Sequence, residues 1–277
     1  MSDIPPDPEL RRRPARAAML RRRRIVIASA LAALLVLGGG GIAWASLASK
    51  ADAPVEETTA APKPKPTPTP TPEPEPEPAP EPQWDLDSPG SITVVVNKQR
   101  PLNPIEWAPD DLVWPEIPNT NGQPLRQEAA LALEQMHAEA TAAGVPFVML
   151  SGYRDYAMQA GLFNGFVASN GLEVAEQVSA RPGHSEHQTG LAVDITECGG
   201  CGLSEEFAST PQGIWAGENA YRFGFILRYN RGEEPVVGYV YEPWHFRYVG
   251  VEVATDMHEK GIINLEEYFG LPAAPTY

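Results

Sequence analysis

Five histidines occur in this 277-residue chain, and three of them sit in two compact stretches. The first stretch runs Pro182-Gly-His184-Ser-Glu-His187-Gln-Thr-Gly190-Leu-Ala-Val-Asp194, the second Tyr241-Glu242-Pro-Trp-His245-Phe. Asp194 stands among Leu191, Ala192, Val193 and Ile195, where an unpartnered carboxylate is costly to bury. It therefore requires a cation, a strong set of donors or a solvent-lined face. Glu242 and His245 are three apart with Pro243 between them. Proline disfavours both a helix interior and a central strand, so this is a bend or strand end rather than a helical H-E-x-x-H pair. Together, His187, Asp194 and His245 would make a three-ligand zinc site whose fourth position is open to water, the pattern of catalytic rather than structural zinc. Glu242 would then be the base that takes a proton from that water. Spacing alone does not choose between His184 and His187. A lone histidine near a turn is more often a hydrogen-bonding residue than a ligand.

The elements that must position these groups are short and mixed. Ser91 to Val96 is β-branched and predicts a strand. Pro124 to Ala143 carries Leu125, Ala129, Leu133, Met136 and Ala140 at helical spacing and stops at Gly144. Pro146 to Leu150 predicts a buried strand. Asp155 caps a helix through about Ala168, closed by Asn170-Gly171. Leu191 to Ile195 predicts the strand that carries Asp194. Thr210-Pro211 is an N-cap followed by proline at the first helical position, with the helix ending near Phe223-Gly224. Phe225 to Arg228, Val236 to Tyr241 and His245 to Val249 are further strands, and Val251 to Lys260 a last sizeable helix. His137 and His258 fall on these helices, away from the two motifs. With no regular βαβ alternation and no G-x-G-x-x-G, the class is α+β, helices packed on a mainly antiparallel sheet.

Composition varies sharply along the chain. Residues 1–24 form a basic tail with eight arginines against Asp3, Asp7 and Glu9. Residues 25–49 contain no charged side chain, which is long enough for a bilayer-spanning helix of about 20 apolar residues. Arginines on its N-terminal flank favour a cytoplasmic N-terminus. The competing expectation is a signal peptide cleaved after Ala43-Trp-Ala45, which would release a secreted protein. Residues 50–83 hold 12 of the 30 prolines, largely as Lys-Pro, Thr-Pro and Glu-Pro dipeptides. Such a run is an extended polyproline II spacer reaching roughly 100 Å. Residues 84–277 are globular. The first 50 residues carry nine Lys or Arg and three Asp or Glu, leaving 12 against 33 beyond them. An exported domain that acidic is a poor nucleic-acid partner, because phosphate contacts need clustered basic residues.

The ordered pattern Ser185-x-His187-x-x-Gly190-x-x-x-Asp194, followed downstream by Glu242-Pro-Trp-His245, resembles the VanY-type zinc D-alanyl-D-alanine carboxypeptidases. These are relatives of the LAS metallopeptidases, which share a fold with the Hedgehog signalling domain. The likeness runs from about Pro124 to Val249 and takes in Ser151-Gly-Tyr-Arg154 with Gln159, and Asn219 to Tyr229. It implies a Hedgehog/DD-peptidase-like fold carrying one zinc ion. It implies His187, Asp194 and His245 as ligands, with His184 a neighbour. Glu242 becomes the catalytic base and Arg154 the cation that binds substrate and stabilises the developing oxyanion. Gln159 and Ser185 become polar contacts to substrate. Asp155 departs from the pattern, standing where relatives commonly have Ser. The implied activity is removal of the terminal D-alanine from peptidoglycan stem peptides by a zinc-activated water, in a monomeric enzyme. Alternatives are an L,D-carboxypeptidase or endopeptidase on the same peptides, or a catalytically silent wall-binding module.

Cys198-Gly-Gly-Cys201 has no second cysteine pair to complete a zinc ribbon and no βαβ setting for a thioredoxin-like motif. Outside the cell the expectation is a local disulfide pinning the loop after Asp194. Trp215 and Trp244 are candidates for either core or cavity wall.

Overall fold

A computed structural model of the chain describes residues 84–277. The basic tail, the expected membrane span at 25–49 and the proline-rich spacer lie outside the described residues. Among the described residues no helix is long and apolar enough to cross a membrane.

The elements, in chain order, are β1 (Leu112–Val113), β2 (Leu125–Arg126), α1 (Gln127–Ala142), β3 (Val148–Ser151), α2 (Tyr156–Asn170), α3 (Leu172–Val178), β4 (Ala192–Thr196), α4 (Pro211–Asn219), β5 (Phe225–Leu227), α5 (Glu234–Val237), β6 (His245–Tyr248), α6 (Val251–Lys260) and α7 (Leu265–Tyr268). Short 3-10 turns at Glu186–Thr189, Glu205–Ser209 and Ala220–Phe223 link them. β1 and β2 form a two-stranded antiparallel pair, and the main sheet has the order β3-β4-β6-β5, antiparallel throughout. This is the expected α+β architecture.

Strand periodicity divides that sheet into two functions, since alternate side chains face opposite sides. Val193 and Ile195 of β4 and Phe246 and Tyr248 of β6 join one core with Leu125, Leu133 and Met136, the last two from α1. Each large side chain buried there contributes on the order of 1.5–3 kcal/mol. The intervening residues, Asp194, His245 and Arg247, share the other face, and the register sets Asp194 directly opposite His245.

α1 buries the face its spacing predicts, and Asp155 caps α2 by accepting from the Met158 N–H at 2.7 Å. Thr210 caps α4 in the same way at the Gly213 N–H. Two expected strands are absent. Residues 91–96 pair with no neighbouring strand, though 93–96 are buried: Arg247 donates to the carbonyls of Ile92 and Val94, and Arg100 to that of Val95. Side-chain donors there do what a strand partner would have done. Residues 236–241 begin inside helix α5, which has Pro235 in its first turn and ends at Gly238 in the left-handed region, φ 80°. β-branching in Val236-Val237 gave the wrong signal because proline and glycine set the local backbone.

Candidate active site

The two motifs converge on one end of β4 and β6. The 3-10 turn Glu186–Thr189 ends at Gly190, whose φ of 70° turns the chain into β4. A Cβ on Gly190 would sit 2.9 Å from Cγ of Arg126 and 3.3 Å from its amide nitrogen, so the H-x-x-G spacing is both a conformational and a close-packing requirement. The His187 ring is held from behind, its Nδ1 2.7 Å from the Gly152 carbonyl, which directs Nε2 inward. That nitrogen lies 3.4 Å from Asp194 Oδ2, and His245 Nδ1 lies 3.1 Å from Asp194 Oδ1.

These three side chains form a buried donor group whose ligand atoms all lie within 4.8 Å of one another. Two imidazole nitrogens and one carboxylate oxygen are a zinc donor set, and at bond lengths of about 2.1 Å tetrahedral ligands stand about 3.4 Å apart. The residues fit the ion. Of the two candidate histidines, the structure brings His187 into this group. His184 is turned away, its Nδ1 2.9 Å from the Asn97 carbonyl and its ring against Tyr277.

Glu242 sits beside the triad, with Oε2 3.9 Å from His245 Nδ1. Burial pushes its carboxyl up to about 8, with Asp194 adding repulsion and His245 and Arg154 opposing the rise. Burial alone would also raise Asp194, but the His187 and His245 contacts reverse this and hold it well below the usual carboxylate range. His187 is pushed down to about 4 by burial, reinforced by the Arg154 charge. Burial disfavours the His245 cation too, yet hydrogen bonds to Asp194 and Glu186 carry it up to about 9. Closely placed carboxylates with opposite shifts mark a site where a proton has somewhere to go.

Arg154 Nη1 lies 3.8 Å from Asp194 Oδ2, and its Nε donates to Gln159 Oε1 at 3.0 Å. A cavity of about 380 Å³ opens over these groups, lined by polar Arg154, Ser185 and Glu242 and by apolar Leu162, Phe166 and Trp244 among others. Gln159 requires a correction. It is fully buried, and its amide nitrogen donates to the Ala180 carbonyl and Ser179 Oγ. It stands behind Arg154 and steadies it rather than lining the cavity as a substrate contact. The Asp155 carboxylate is engaged as the α2 cap. Trp215 packs in the core, His137 lies edge-on to Phe147, and His258 stacks on Tyr221. Cys198 and Cys201 are joined in a disulfide just after β4.

The residue that the sequence reading passed over is Glu186. It is buried between Arg228 and Arg247 and reaches His245. The available signal was two arginines inside apolar strand segments, Phe225-Ile-Leu-Arg228 and His245-Phe-Arg247, each of which demands a buried anion.

Comparison with known proteins agrees with this fold. The family described as VanY, D-alanyl-D-alanine carboxypeptidase, matches residues 122–251. The chain is 41% identical over 190 residues to the putative carboxypeptidase YodJ of Bacillus subtilis, covering 66% of this chain and 69% of that protein. Among solved structures, the LdcB LD-carboxypeptidase superposes with a TM-score of 0.62 at 41% identity, covering 66% of this chain and 87% of the other. A vancomycin-resistance D,D-pentapeptidase VanY variant in complex with Zn(II) gives a TM-score of 0.54 at 34% identity, covering 64% and 97%.

Proposed function

Because this chain belongs to the VanY family of D-alanyl-D-alanine carboxypeptidases, we propose that it removes the C-terminal D-alanine from peptidoglycan stem peptides. His187, Asp194 and His245 would hold one zinc ion, Glu242 would carry the proton, and Arg154 would bind and balance developing negative charge. The observation that carries this reading is the buried His/Asp/His donor group with a second buried carboxylate, Glu242, at its edge. A zinc ion in such a three-ligand site supplies Lewis acidity and acidifies water.

The protein's own groups supply the remainder. Glu242 is close enough to the donor group to take a proton from an attacking water and later return it to the leaving amine. Arg154, fixed by Gln159, presents a guanidinium whose charge does not depend on proton transfer, suited to the oxyanion of the tetrahedral intermediate. Ser185 lines the cavity and is a candidate hydrogen-bonding contact for the peptide. The apolar lining residues Leu162, Phe166 and Trp244 would exclude water from the scissile bond and accept aliphatic parts of the peptide. Residues 25–49 would anchor the protein in the membrane with the arginine-rich end cytoplasmic, and residues 50–83 would hold the catalytic domain away from it on the outer side.

A second reading has specific support. LdcB, an LD-carboxypeptidase, exceeds the VanY structure in both identity and TM-score. On that reading the substrate is a tetrapeptide whose terminal D-alanine follows an L-centre. Incubating the zinc-loaded full-length protein with penta- and tetrapeptide stems, with mass spectrometry of the products, tests both. Loss of one alanine from the pentapeptide supports the first reading, and loss from the tetrapeptide alone replaces it with the second. Dialysis against a chelator should abolish turnover, and zinc should restore it. If neither peptide is shortened, both readings fail.

A further inference from the structure

We propose that Glu186 is a positioning residue for His245, fixing the tautomer and orientation in which that imidazole offers Nδ1 to the metal. This inference rests on the zinc-site reading above and adds to it a group whose side chain is wholly buried.

The two oxygens of Glu186 have different tasks. Oε1 accepts from Arg228 Nε at 2.8 Å and from Arg247 Nη1 at 3.1 Å. Oε2 lies 3.3 Å from His245 Nε2. Neutralising the arginines requires a carboxylate, but it does not require the second oxygen to face an imidazole. His245 has Nδ1 toward Asp194 and the donor group, so Nε2 points to the opposite side, where Glu186 Oε2 is a hydrogen-bond acceptor. An acceptor there keeps the proton on Nε2 and leaves the Nδ1 lone pair free for a cation. The Tyr229 ring, with its centroid 4.8 Å from that of His245, limits the imidazole from another direction.

Glu186 is itself held rigidly. Arg228 makes paired bonds to Glu266 at 2.9 and 2.8 Å, and Glu266 accepts from Asn97 Nδ2 at 2.9 Å. Arg247 directs its other donors to the carbonyls of Ile92, Val94 and Tyr248. The side chains of Glu186, Arg228 and Arg247 have no exposed surface. Glu186 also lies next to His187 in one 3-10 turn, so a single turn delivers one ligand and orients another.

The informative substitution is Glu186→Gln. Glutamine keeps the shape but has one acceptor oxygen. If that oxygen serves the arginines, its amide donor faces His245 Nε2 and favours the tautomer with a proton on Nδ1, which competes with metal. In the full-length protein, zinc affinity measured by chelator competition should fall about 10–100-fold. The loss should fall on kcat more than on KM in the zinc-saturated enzyme. Glu266→Gln, which cuts the outer network and leaves the His245 contact intact, should lower the melting temperature with little change in zinc affinity. Equal zinc affinity for folded Glu186→Gln and the parent would overturn the proposal, as would equal weakening by Glu266→Gln. Should Glu186→Gln fail to fold, nitrogen-15 NMR of the zinc-loaded parent decides: the imidazole proton of His245 must be on Nε2, and finding it on Nδ1 sinks the idea. Failure of the parent to bind zinc would instead remove the reading on which this inference rests.

Discussion

Two clusters of buried charge meet at His245, and they differ in how completely their charges are matched. On one side Glu186 and Glu266 face Arg228 and Arg247, two carboxylates to two guanidiniums, with the remaining arginine donors on backbone carbonyls. On the other side Asp194 and Glu242 share one guanidinium, Arg154, at 3.8 Å from Asp194, together with two imidazoles. The first cluster is closed within the protein. In the second, Glu242 has no cationic nitrogen nearer than 3.9 Å and the group opens onto a cavity, where the proposed metal ion and substrate would complete it. Both are buried, so burial alone does not distinguish structural from functional charge. What distinguishes them is whether each charge has its partner.

The sharpest way to break that contrast is to remove one carboxylate from the open side. Glu242→Ala should reduce turnover by about 10²–10⁴-fold, the range for loss of a general acid–base group. Its melting temperature should be unchanged or higher, because the cost of burying this carboxylate outweighs the attraction of His245 and Arg154. Steady-state kinetics and a thermal melt on the same sample check both halves. A variant with parental turnover would remove Glu242 from the mechanism.

The matched side should respond in the reverse sense. Arg228→Ala leaves Glu186 and Glu266 buried without their shared cation, and breaking such a pair costs about 3–5 kcal/mol of stability. Urea unfolding of the metal-free protein measures it. A loss comparable to that of an exposed pair such as Arg231–Glu205 would show that the inner network is dispensable.

This same division explains what was legible in the sequence. The proposed zinc ligands, Glu242 and Arg154 occur in short motifs whose spacing constrains them, and the alternation of β4 and β6 then puts Asp194 and His245 on one face. The closed network has no such signature. Glu186 meets its arginine partners 42 and 61 residues away, and nothing local records that pairing. The helices were legible through caps and spacing: Asp155, Thr210 and the α1 stripe stand where their chemistry predicts. Residues 91–96 were not, because a β-branched run reports burial while the identity of its hydrogen-bond partners, here arginine side chains, is a tertiary matter. Gln159 lay in a motif, but which way its amide points depends on Ser179 and Ala180, some 20 residues on.

Gln159 tests the boundary between the two regions, since it holds a functional cation by structural means. Gln159→Leu removes the acceptor for Arg154 Nε and should cost about 1.5–3 kcal/mol, the range for a hydrogen bond to a charged group. Because Arg154 is the group proposed to meet the substrate, the loss should appear in kcat/KM as well as in the melt. A change confined to stability would make Gln159 a core residue only.

The smallest expected effect concerns acid. Burial would raise the Glu266 carboxyl, but the Arg228 charge overrides it and the carboxyl is held below its ordinary value. A depressed carboxyl binds protons less readily in the folded state than in the unfolded chain. Its contribution to stability is therefore fully present above the unfolded value of about 4.3 and is lost as pH falls through the folded one. Glu266→Gln removes that proton linkage. In the metal-free protein the variant should be less stable than the parent near neutrality, and the gap should narrow as pH is lowered below about 5. Parallel acid limbs in the two unfolding curves would mean that Glu266 does not draw stability from its charge. The matched cluster would then owe its contribution to shape and hydrogen bonding, and the contrast with the open side would rest on geometry instead of charge balance.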